Sequence, residues 1–366
     1  MPPFSDTDYV HMARALKLAS RGQYSAHPNP MVGCVIVNDN TIVGEGWHER
    51  AGEAHAEVNA LAAAGGKAKG ATAYVTLEPC AHHGKTPPCS EALINAGLGK
   101  VIAAMQDPYS EVAGRGLDTL GAAGIATEVG LMRSAAETLN AGYLARVTRN
   151  RPLVRVKIAA SIDGAIAMKC GESQWITGAE ARHDVQRLRA RSGAVMTGIG
   201  TVLADDPSLN VRLEEPTPSD LQPLRVVLDS RLRMPLTARM LSLPGETLVC
   251  CAGEHDDSRL EGAGAEIRTF GAAGAKVDVR KVLEDLARRG VNDVLVEAGP
   301  GLTGHLLEQE LVDELVIYKA PHIMGSETRG MFDTPSWRTL TDRKVLEISD
   351  VRRIGGDTRI TARVQY

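Results

Sequence analysis

The sequence is poor in aromatic residues and has no long hydrophobic run, and each shortage narrows the possible fold. Aromatic residues make up 4% of the 366 residues, whereas the chain contains 37 glycines. That composition favours an α/β fold with tight turns between strands and helices over an aromatic-rich sandwich. Because no apolar run approaches the 18 residues that a membrane helix needs, we expect no membrane partner.

Cysteine and targeting signals are also scarce. The first residues contain no basic segment followed by an apolar core, so we expect no signal peptide. Six cysteines in a chain of this length do not indicate a disulfide framework. We interpret Cys34, Cys170, Cys250 and Cys251 as buried or incidental thiols, and we therefore expect a reducing, cytoplasmic location.

The chain has no basic region. Its net charge is −4, and residues 1–150 and 151–366 each carry −2. A nucleic-acid-binding protein usually shows a basic domain or stripe. The charge therefore argues against a nucleic-acid partner and favours a small-molecule substrate.

Two short blocks carry the strongest chemical signal. The first contains His55 and Glu57, and the second runs from Cys80 to Cys89. One imidazole and two thiolates suit tetrahedral Zn²⁺, and three protein ligands leave a fourth position for chemistry. The arrangement is typical of zinc nucleobase deaminases, although here eight residues separate the two cysteines instead of two.

The bound ion would lower the pKa of water to about 7, and Glu57 would transfer protons without binding the metal. The alternative is a purely structural zinc, which would need a fourth ligand from His82 or His83. Both blocks fall at predicted helix N-termini, where the helix dipoles favour thiolate and hydroxide.

The periodicity of the first half predicts the element order α-β-β-α-β-α-β, and hence a three-layer α/β/α domain over residues 1–150. The pattern restarts after Pro152 with a strand at residues 153–160. Later apolar runs separated by helices predict a second α/β domain over residues 151–366 with a mostly parallel sheet. Residues 214–223 indicate a surface loop.

A glycine-rich loop lies in the second half. The predicted strand at 294–297 is followed by Gly299, Gly301 and Gly304 in a G-x-G-x-x-G pattern and then by a helix. Such a loop can hold a phosphate at the helix N-terminus. The acidic residue expected about 20 positions later is not clear. A plain tight turn therefore remains an alternative.

Several motifs in this order resemble the bifunctional riboflavin-biosynthesis enzyme, a pyrimidine deaminase fused to a pyrimidine reductase. The motifs are residues 28–33, 46–48, 55–57 and 78–80 with the long spacing to Cys89, and then Lys157, 161–164, 171–177, 201–207 and 296–300. The resemblance covers nearly the whole chain. It implies a cytidine-deaminase-like N-terminal domain and a dihydrofolate-reductase-like C-terminal domain.

The resemblance also implies the substrate and both steps. The first half would deaminate 2,5-diamino-6-(5-phosphoribosylamino)pyrimidin-4-one with Zn²⁺, and the second would reduce the ribosyl side chain with NADPH. A reductase of this type commonly pairs, so we expect a homo-oligomer, a dimer or larger.

For deamination, we expect His55, Cys80 and Cys89 to hold zinc and Glu57 to be catalytic. Asn29 lies between two prolines, and its amide can meet the donor and acceptor edge of a pyrimidine, although a capping role is also open. His48, His82 and Lys85 could reach ring substituents or the phosphate, or they could be solvated surface groups.

For reduction, the expected residues are those that the resemblance implies. Lys157 and Asp205 are candidates for proton relay. NADPH would contact Ala159, Trp175, Thr201, Asp205, Ser230, Gly299, Pro300, Gly301, Leu302, Thr303 and Gly304. Substrate would contact Ser173, Arg189, Leu209, Arg212 and Glu297. The two arginines suit a phosphate, although Arg189 could also belong to a solvated helix face.

Two other functions compete with this one. A deaminase that acts on RNA would predict a basic groove, which neither half shows. A monofunctional zinc nucleobase deaminase with a non-catalytic C-terminal module would not need Lys157, Asp205, Glu297 and the glycine-rich loop.

Overall fold

The chain folds into two compact units, Met1–Asn150 and Arg151–Tyr366. The structure is a computed structural model that describes residues 4–81, 87–109, 113–213, 222–255 and 258–366. Two expected site residues, His82 and Lys85, lie outside these described residues, as does most of the predicted 214–223 loop. Within the described ranges, no helix has both the length and the apolar character to cross a bilayer.

The N-terminal unit has a central sheet between helices. Its helices are α1 (Asp6–Ala19), α2 (Ala56–Ala64), α3 (Cys89–Asn95), α4 (Arg115–Ala122), α5 (Arg133–Leu139) and α6 (Ala141–Arg149). Its strands are β1 (Gly33–Asn38), β2 (Thr41–Trp47), β3 (Thr72–Val75), β4 (Lys100–Ala103) and β5 (Ala126–Val129). The sequence predicted the order through β4 but did not predict α4 to α6 or β5.

The sheet order is β2-β1-β3-β4-β5, with β1 antiparallel to both neighbours and the remaining pairs parallel. Alanines of α2, together with Leu93 and Leu120, pack on one face. Met12 and Leu18 of α1 and Ala136 of α5 pack on the other face. The predicted three-layer α/β/α arrangement is therefore confirmed.

A missing side chain lets α2 approach the sheet closely. A Cβ atom at Gly46 of β2 would lie 2.4 Å from the carbonyl oxygen of Ala56. Because no real Cβ tolerates that distance, only glycine allows β2 to pass the first turn of α2 this closely. That turn follows His55 and contains Glu57, so Gly46 determines the depth at which both side chains sit.

The C-terminal unit has a larger sheet. Its helices are α7 (Ala179–Ala190), α8 (Ile199–Asp205), α9 (Ser258–Gly262), α10 (Val279–Arg288) and α11 (Pro300–Glu308). Its strands are β6 (Leu153–Ser161), β7 (Ala165–Met168), β8 (Ala194–Gly198), β9 (Leu224–Leu228), β10 (Thr247–Cys251), β11 (Ala265–Thr269), β12 (Asp293–Val296), β13 (Glu314–Ala320), β14 (Thr328–Gly330), β15 (Val345–Ile354) and β16 (Asp357–Gln365).

The described part of this unit forms a nine-stranded sheet in the order β11-β10-β9-β8-β12-β6-β13-β16-β15, and β7 pairs separately with β14. The strands from β11 to β13 are parallel, whereas β16 and β15 run antiparallel. The prediction of a mostly parallel sheet is thus confirmed. The chain leaves β6 for β8 and later returns to insert β12 between them. Ligands of open α/β sheets bind at such a switch in strand order.

Candidate functional site

Three potential metal ligands converge at one end of the N-terminal sheet. His55 is the N-cap of α2, Cys89 is the first residue of α3, and Cys80 follows the end of β3. The Nδ1 atom of His55 lies 3.2 Å from Sγ of Cys89 and 3.6 Å from Sγ of Cys80. All three ligand atoms lie within 4.8 Å of one another. Three residues that span 34 positions of the sequence thus form one compact donor group.

This donor group fits zinc. Tetrahedral Zn²⁺ with a Zn–S bond of about 2.3 Å and a Zn–N bond of about 2.0–2.1 Å holds nitrogen and sulfur roughly 3.6 Å apart. The two nitrogen–sulfur distances of 3.2 and 3.6 Å agree with that separation. The donors also have the soft and borderline character that zinc prefers.

The two thiols interact strongly with each other. A hydrogen bond with Cys89 lowers the pKa of Cys80 to about 4, and a hydrogen bond with His55 adds to this effect. The bond with Cys80 raises the pKa of Cys89, because the two sulfurs share one proton. The backbone N–H of Cys89 also donates to Sγ of Cys80 at 3.3 Å. The site therefore already favours a thiolate at Cys80, which is the form that binds metal.

Glu57 lies next to this donor group but is not part of it. Its side chain is 3% exposed and lines a pocket of about 340 Å³ together with His55 and Cys80. Burial raises the pKa of Glu57 to about 7, and the charge of Cys80 adds to the shift. A carboxyl group whose pKa lies near neutrality can both accept and donate a proton at neutral pH.

His48 and Asn29 form a small network on the wall of the same pocket. Nδ1 of His48 lies 3.1 Å from the carbonyl oxygen of Ala54, so this nitrogen must carry the proton. Burial lowers the pKa of His48, which favours the neutral ring. Its Nε2 atom then accepts a hydrogen bond from Nδ2 of Asn29 at 3.0 Å. The network orients the amide of Asn29 within the pocket.

A second cleft, of about 1030 Å³, lies in the C-terminal unit where β6, β8 and β12 end. It contains Ala159 from β6, Gly198 from β8 and the start of α11. Gly299 caps α11, and Cβ atoms at Gly299 and Gly301 would meet nothing within 4 Å. The helix N-terminus therefore has free space for a phosphate group, as a dinucleotide cofactor requires.

A buried ion pair crosses this cleft. Nε and Nη2 of Arg189 donate to the two carboxylate oxygens of Glu297 at 2.5 and 3.0 Å. Nη1 of Arg189 donates to the carbonyl oxygen of Asn210 at 3.0 Å. Arg189 is 8% exposed, so the alternative of a solvated helix face is wrong. Burial lowers the pKa of the neighbouring Lys157, and Arg189 adds to the shift while Glu297 opposes it.

Most of the expected reductase residues line this cleft. They are Lys157, Ala159, Ser173, Trp175, Arg189, Thr201, Asp205, Leu209, Arg212, Glu297, Gly299, Pro300, Gly301 and Leu302. Trp175 is 70% exposed, with the guanidinium of Arg182 4.6 Å from its ring centre. An exposed aromatic ring in a cleft offers a flat surface to a ligand.

Ser230, Thr303 and Gly304 are outside the set of residues that line the cleft. The hydroxyl of Ser230 accepts a hydrogen bond from the backbone N–H of Val277. Thr303 is buried, and its hydroxyl donates to backbone carbonyls that include Met331. A Cβ at Gly304 would lie 1.8 Å from the carbonyl oxygen of Asp333. The third glycine of the motif thus permits close packing.

Comparisons with known proteins cover both units. Residues 5–105 match the cytidine and deoxycytidylate deaminase zinc-binding region, and residues 152–358 match the RibD C-terminal domain. The riboflavin biosynthesis protein RibD of Escherichia coli K12 is 49% identical over 96% of this chain and 97% of its own length. The chain belongs to the RibD family.

Other relatives agree over nearly the full length. RibD of Haemophilus influenzae is 45% identical over 99% of this chain and 98% of its own. The solved structure of RibD from Acinetobacter baumannii is 43% identical, with a TM-score of 0.91 over 98% of this chain and 99% of that chain. A structure from Thermotoga maritima, named as a diaminohydroxyphosphoribosylaminopyrimidine deaminase and 5-amino-6-(5-phosphoribosylamino)uracil reductase, is 30% identical, with a TM-score of 0.85 over 98% and 99%.

The chain is therefore a bifunctional enzyme of riboflavin biosynthesis, with a zinc-dependent deaminase half and an NADPH-dependent reductase half. As in other RibD proteins, the two halves have a cytidine-deaminase-like and a dihydrofolate-reductase-like fold. A monofunctional deaminase with a non-catalytic second module is not favoured, because the similarity to RibD extends through both halves.

The RibD deaminase pocket contains further residues to which the sequence analysis assigned no role. They are Glu78, Asp107, Tyr109, Tyr143 and Arg146. Asp107 follows the end of the parallel strand β4. Because ligands of α/β sheets bind at such strand ends, this position could have indicated Asp107 as a site residue. Glu78 precedes Cys80 by two residues. Tyr143 and Arg146 come from α6, and no local sequence signal indicates their position.

Proposed function

We propose that the N-terminal unit hydrolyses the 2-amino group of 2,5-diamino-6-(5-phosphoribosylamino)pyrimidin-4-one and releases ammonia. The C-terminal unit then reduces the ribosyl side chain of the product to a ribityl chain with NADPH. The name of the Thermotoga relative supports these substrates. The observation that carries the proposal is the His55, Cys80 and Cys89 group beside the buried Glu57 in one pocket.

In deamination, Glu57 moves the protons. Its carboxylate takes a proton from the attacking water and delivers it to a ring nitrogen of the pyrimidine. A second proton passes through the same carboxyl group to the departing amine, which leaves as ammonia. The position of the buried Glu57 carboxyl group in the same pocket as His55 and Cys80 supports both transfers.

His55, Cys80 and Cys89 hold the zinc ion. Zinc supplies Lewis acidity, which makes hydroxide available at neutral pH. The protein contributes the arrangement of the three ligands, because the starts of α2 and α3 and the end of β3 carry them. With these three protein ligands, a fourth coordination position would be left for the reaction, as in catalytic zinc sites.

Asn29 and His48 orient the pyrimidine ring. Since Nδ2 of Asn29 donates to His48, the carbonyl oxygen of Asn29 can accept a hydrogen bond from an N–H group of the ring or its substituents. The pocket of about 340 Å³ suits a single small ring system. His82 and Lys85 remain proposed contacts to ring substituents or to the phosphate.

In reduction, NADPH bound in the cleft would supply the hydride that C1′ of the opened ribose receives. The start of α11 would hold the cofactor phosphates, and Ala159, Trp175, Thr201 and Asp205 would contact other parts of NADPH. Ser230, Thr303 and Gly304 remain proposed contacts to NADPH, and none of them is among the residues that line the cleft. Ser173 and Leu209 bind the substrate.

Arg212 is the stronger candidate for binding the substrate phosphate. Three N–H groups of Arg189 already donate to Glu297 and Asn210. Arg212 is exposed in the cleft, and its Nη1 donates to the side-chain oxygen of Asn210 at 2.7 Å. Its remaining N–H groups can therefore face a phosphate. Glu297, held by Arg189, can accept a hydrogen bond from a ribityl hydroxyl.

Lys157 is the stronger of the two proton-relay candidates. It lines the cleft beside Glu297, and burial lowers its pKa, so its ammonium group gives up a proton more readily than an exposed lysine. Asp205 is exposed at the end of α8. We therefore propose that Lys157 donates a proton to the oxygen or nitrogen on C1′.

The proposed reactions use small phosphorylated molecules and NADPH. The net charge of −4 supports this assignment over a nucleic-acid substrate. A cytoplasmic location agrees with the reduced thiols that the zinc site needs.

We also propose that the protein forms a homodimer through β15. This strand is at the edge of the described nine-stranded sheet. A bulge between Ile348 and Asp350 leaves Leu346, Ile348 and Val351 on one face, exposed by 40%, 61% and 58%. An exposed apolar edge strand favours pairing with another strand.

The residue order of β15 complements itself in an antiparallel pair. With a two-fold axis between Ser349 and Asp350, Ile348 of one copy would face Val351 of the other. Glu347 would then face Arg352, and Val345 would face Ile354. Three of the four pairs beyond the axis would match apolar residues or opposite charges, whereas the remaining pair would place Leu346 opposite Arg353. The occupant of this edge is therefore a second copy of the chain.

Replacing Glu57 by Gln tests the deaminase assignment. The amide keeps the size of the side chain but cannot transfer protons, so kcat for ammonia release should fall by about 10²–10⁴. Zinc content, measured by elemental analysis, should stay at the wild-type value. NADPH oxidation by the same variant serves as the control for folding. Deaminase turnover within a few-fold of wild type would contradict the role of Glu57.

Replacing Arg212 by Ala tests the phosphate site. Loss of charge-assisted hydrogen bonds worth about 1.5–3 kcal/mol should raise the reductase KM at least about tenfold. The difference from wild type should disappear with a dephosphorylated substrate. Arg288→Ala on α10, an exposed arginine outside the cleft, is the matched control. An equal effect of Arg212→Ala on both substrates would remove Arg212 from the phosphate site.

Replacing Ile348 by Lys tests the dimer. We expect wild-type protein to have the mass of a dimer in sedimentation experiments at micromolar concentration, and Ile348→Lys to be monomeric. Val10→Lys on α1, where valine is 65% exposed, is the control and should leave the mass unchanged. A monomeric wild type, or a dimeric Ile348→Lys variant, would contradict pairing through β15.

A further inference from the structure

Glu78 is a buried carboxylate that has no role in zinc binding or proton transfer in the proposed deamination. It is 3% exposed, it lies between β3 and Cys80, and it lines the deaminase pocket. Its own backbone N–H donates to the carbonyl oxygen of Met105. A carboxylate buried this deeply must be balanced by strong hydrogen bonds.

The partners of Glu78 are backbone amides from the segment that follows β4. Oε2 accepts from the N–H groups of Asp107 at 3.1 Å and Gly114 at 3.0 Å. Oε1 accepts from Gly116 at 2.9 Å and from Leu117 at 3.4 Å. One side chain therefore holds both the residue that enters the pocket and the first turn of α4, where a negative charge is favourable.

The close contact between these parts depends on Gly116. A Cβ atom there would lie 1.9 Å from the carbonyl oxygen of Pro79, which is the residue between Glu78 and Cys80. Glycine at this position allows α4 to begin directly against the metal-ligand segment. The residue pair Glu78 and Gly116 thus joins the zinc site to the 113–117 backbone.

Asp107 and Tyr109 carry this arrangement into the pocket. Both side chains line it. Oδ1 of Asp107 accepts hydrogen bonds from the hydroxyl of Tyr143 at 3.0 Å and from the backbone N–H of Tyr109 at 2.9 Å. Since Glu78 holds the backbone N–H of Asp107, the position of both side chains relative to the zinc ligands depends on Glu78.

We propose that Glu78 is a positioning residue for substrate binding in the deaminase site, acting through Asp107 and Tyr109. This inference rests on the proposed deamination. Glu78 itself takes no part in the chemical step. Its carboxylate fixes the positions of Asp107 and Tyr109 relative to the zinc ligands.

The test is Glu78→Gln, which has nearly the same size but turns one acceptor into an N–H donor facing backbone donors. The KM for the aminopyrimidine substrate should rise at least about tenfold, with kcat changing by less than about threefold. Zinc content and NADPH oxidation should match wild type. Glu128→Gln, which removes a carboxylate that pairs with Lys100 on the surface of the same unit, should leave KM unchanged.

A double variant separates positioning from simple support of the fold. If Glu78 acts through Asp107, then Glu78→Gln should change KM by less than about twofold in an Asp107→Asn background. A fold-support role would lower zinc content and deaminase turnover together and leave KM at the wild-type value, which would overturn the proposal. Wild-type protein that releases no ammonia from the aminopyrimidine would instead overturn the proposed function.

Discussion

The deaminase half depends on one constraint, the meeting of three donor atoms from separate elements at one point. A histidine before α2, a cysteine that opens α3 and a cysteine after β3 must arrive within a few ångströms of one another. Small residues make this possible, because Gly46 admits α2 against the sheet and Gly116 admits α4 against Pro79. At the start of α3, the backbone N–H of Cys89 donates to Sγ of Cys80, which favours the thiolate at Cys80.

The reductase half depends on a different feature, the large cleft in the C-terminal unit. Its cleft lies where the order of a parallel sheet changes, and its volume of about 1030 Å³ is much larger than that of the deaminase pocket. This difference suits a site for a cofactor together with a substrate. The buried pair of Arg189 and Glu297 keeps a charged group in the cleft without an unpaired charge, whose burial would cost several kcal/mol.

The sequence alone predicted the elements that carry strong local patterns. Apolar periodicity located α1, α2 and the strands from β1 to β4, and the spacing of His55, Cys80 and Cys89 predicted a metal site. Long-range contacts left no such pattern. The pairing of Arg189 with Glu297 joins residues 108 positions apart, and Tyr143 reaches Asp107 from α6. The G-x-G-x-x-G pattern also did not show which glycine has which role. Gly301 faces free space, whereas Gly304 packs against Asp333.

The central claim is that His55, Cys80 and Cys89 bind one catalytic zinc ion. X-ray absorption spectroscopy at the zinc edge, combined with elemental analysis of the purified protein, tests this most directly. The account predicts one zinc per chain with two sulfur ligands at about 2.3 Å and nitrogen or oxygen ligands at about 2.0–2.1 Å. A protein without zinc, or an ion with four sulfur ligands or none, would contradict it.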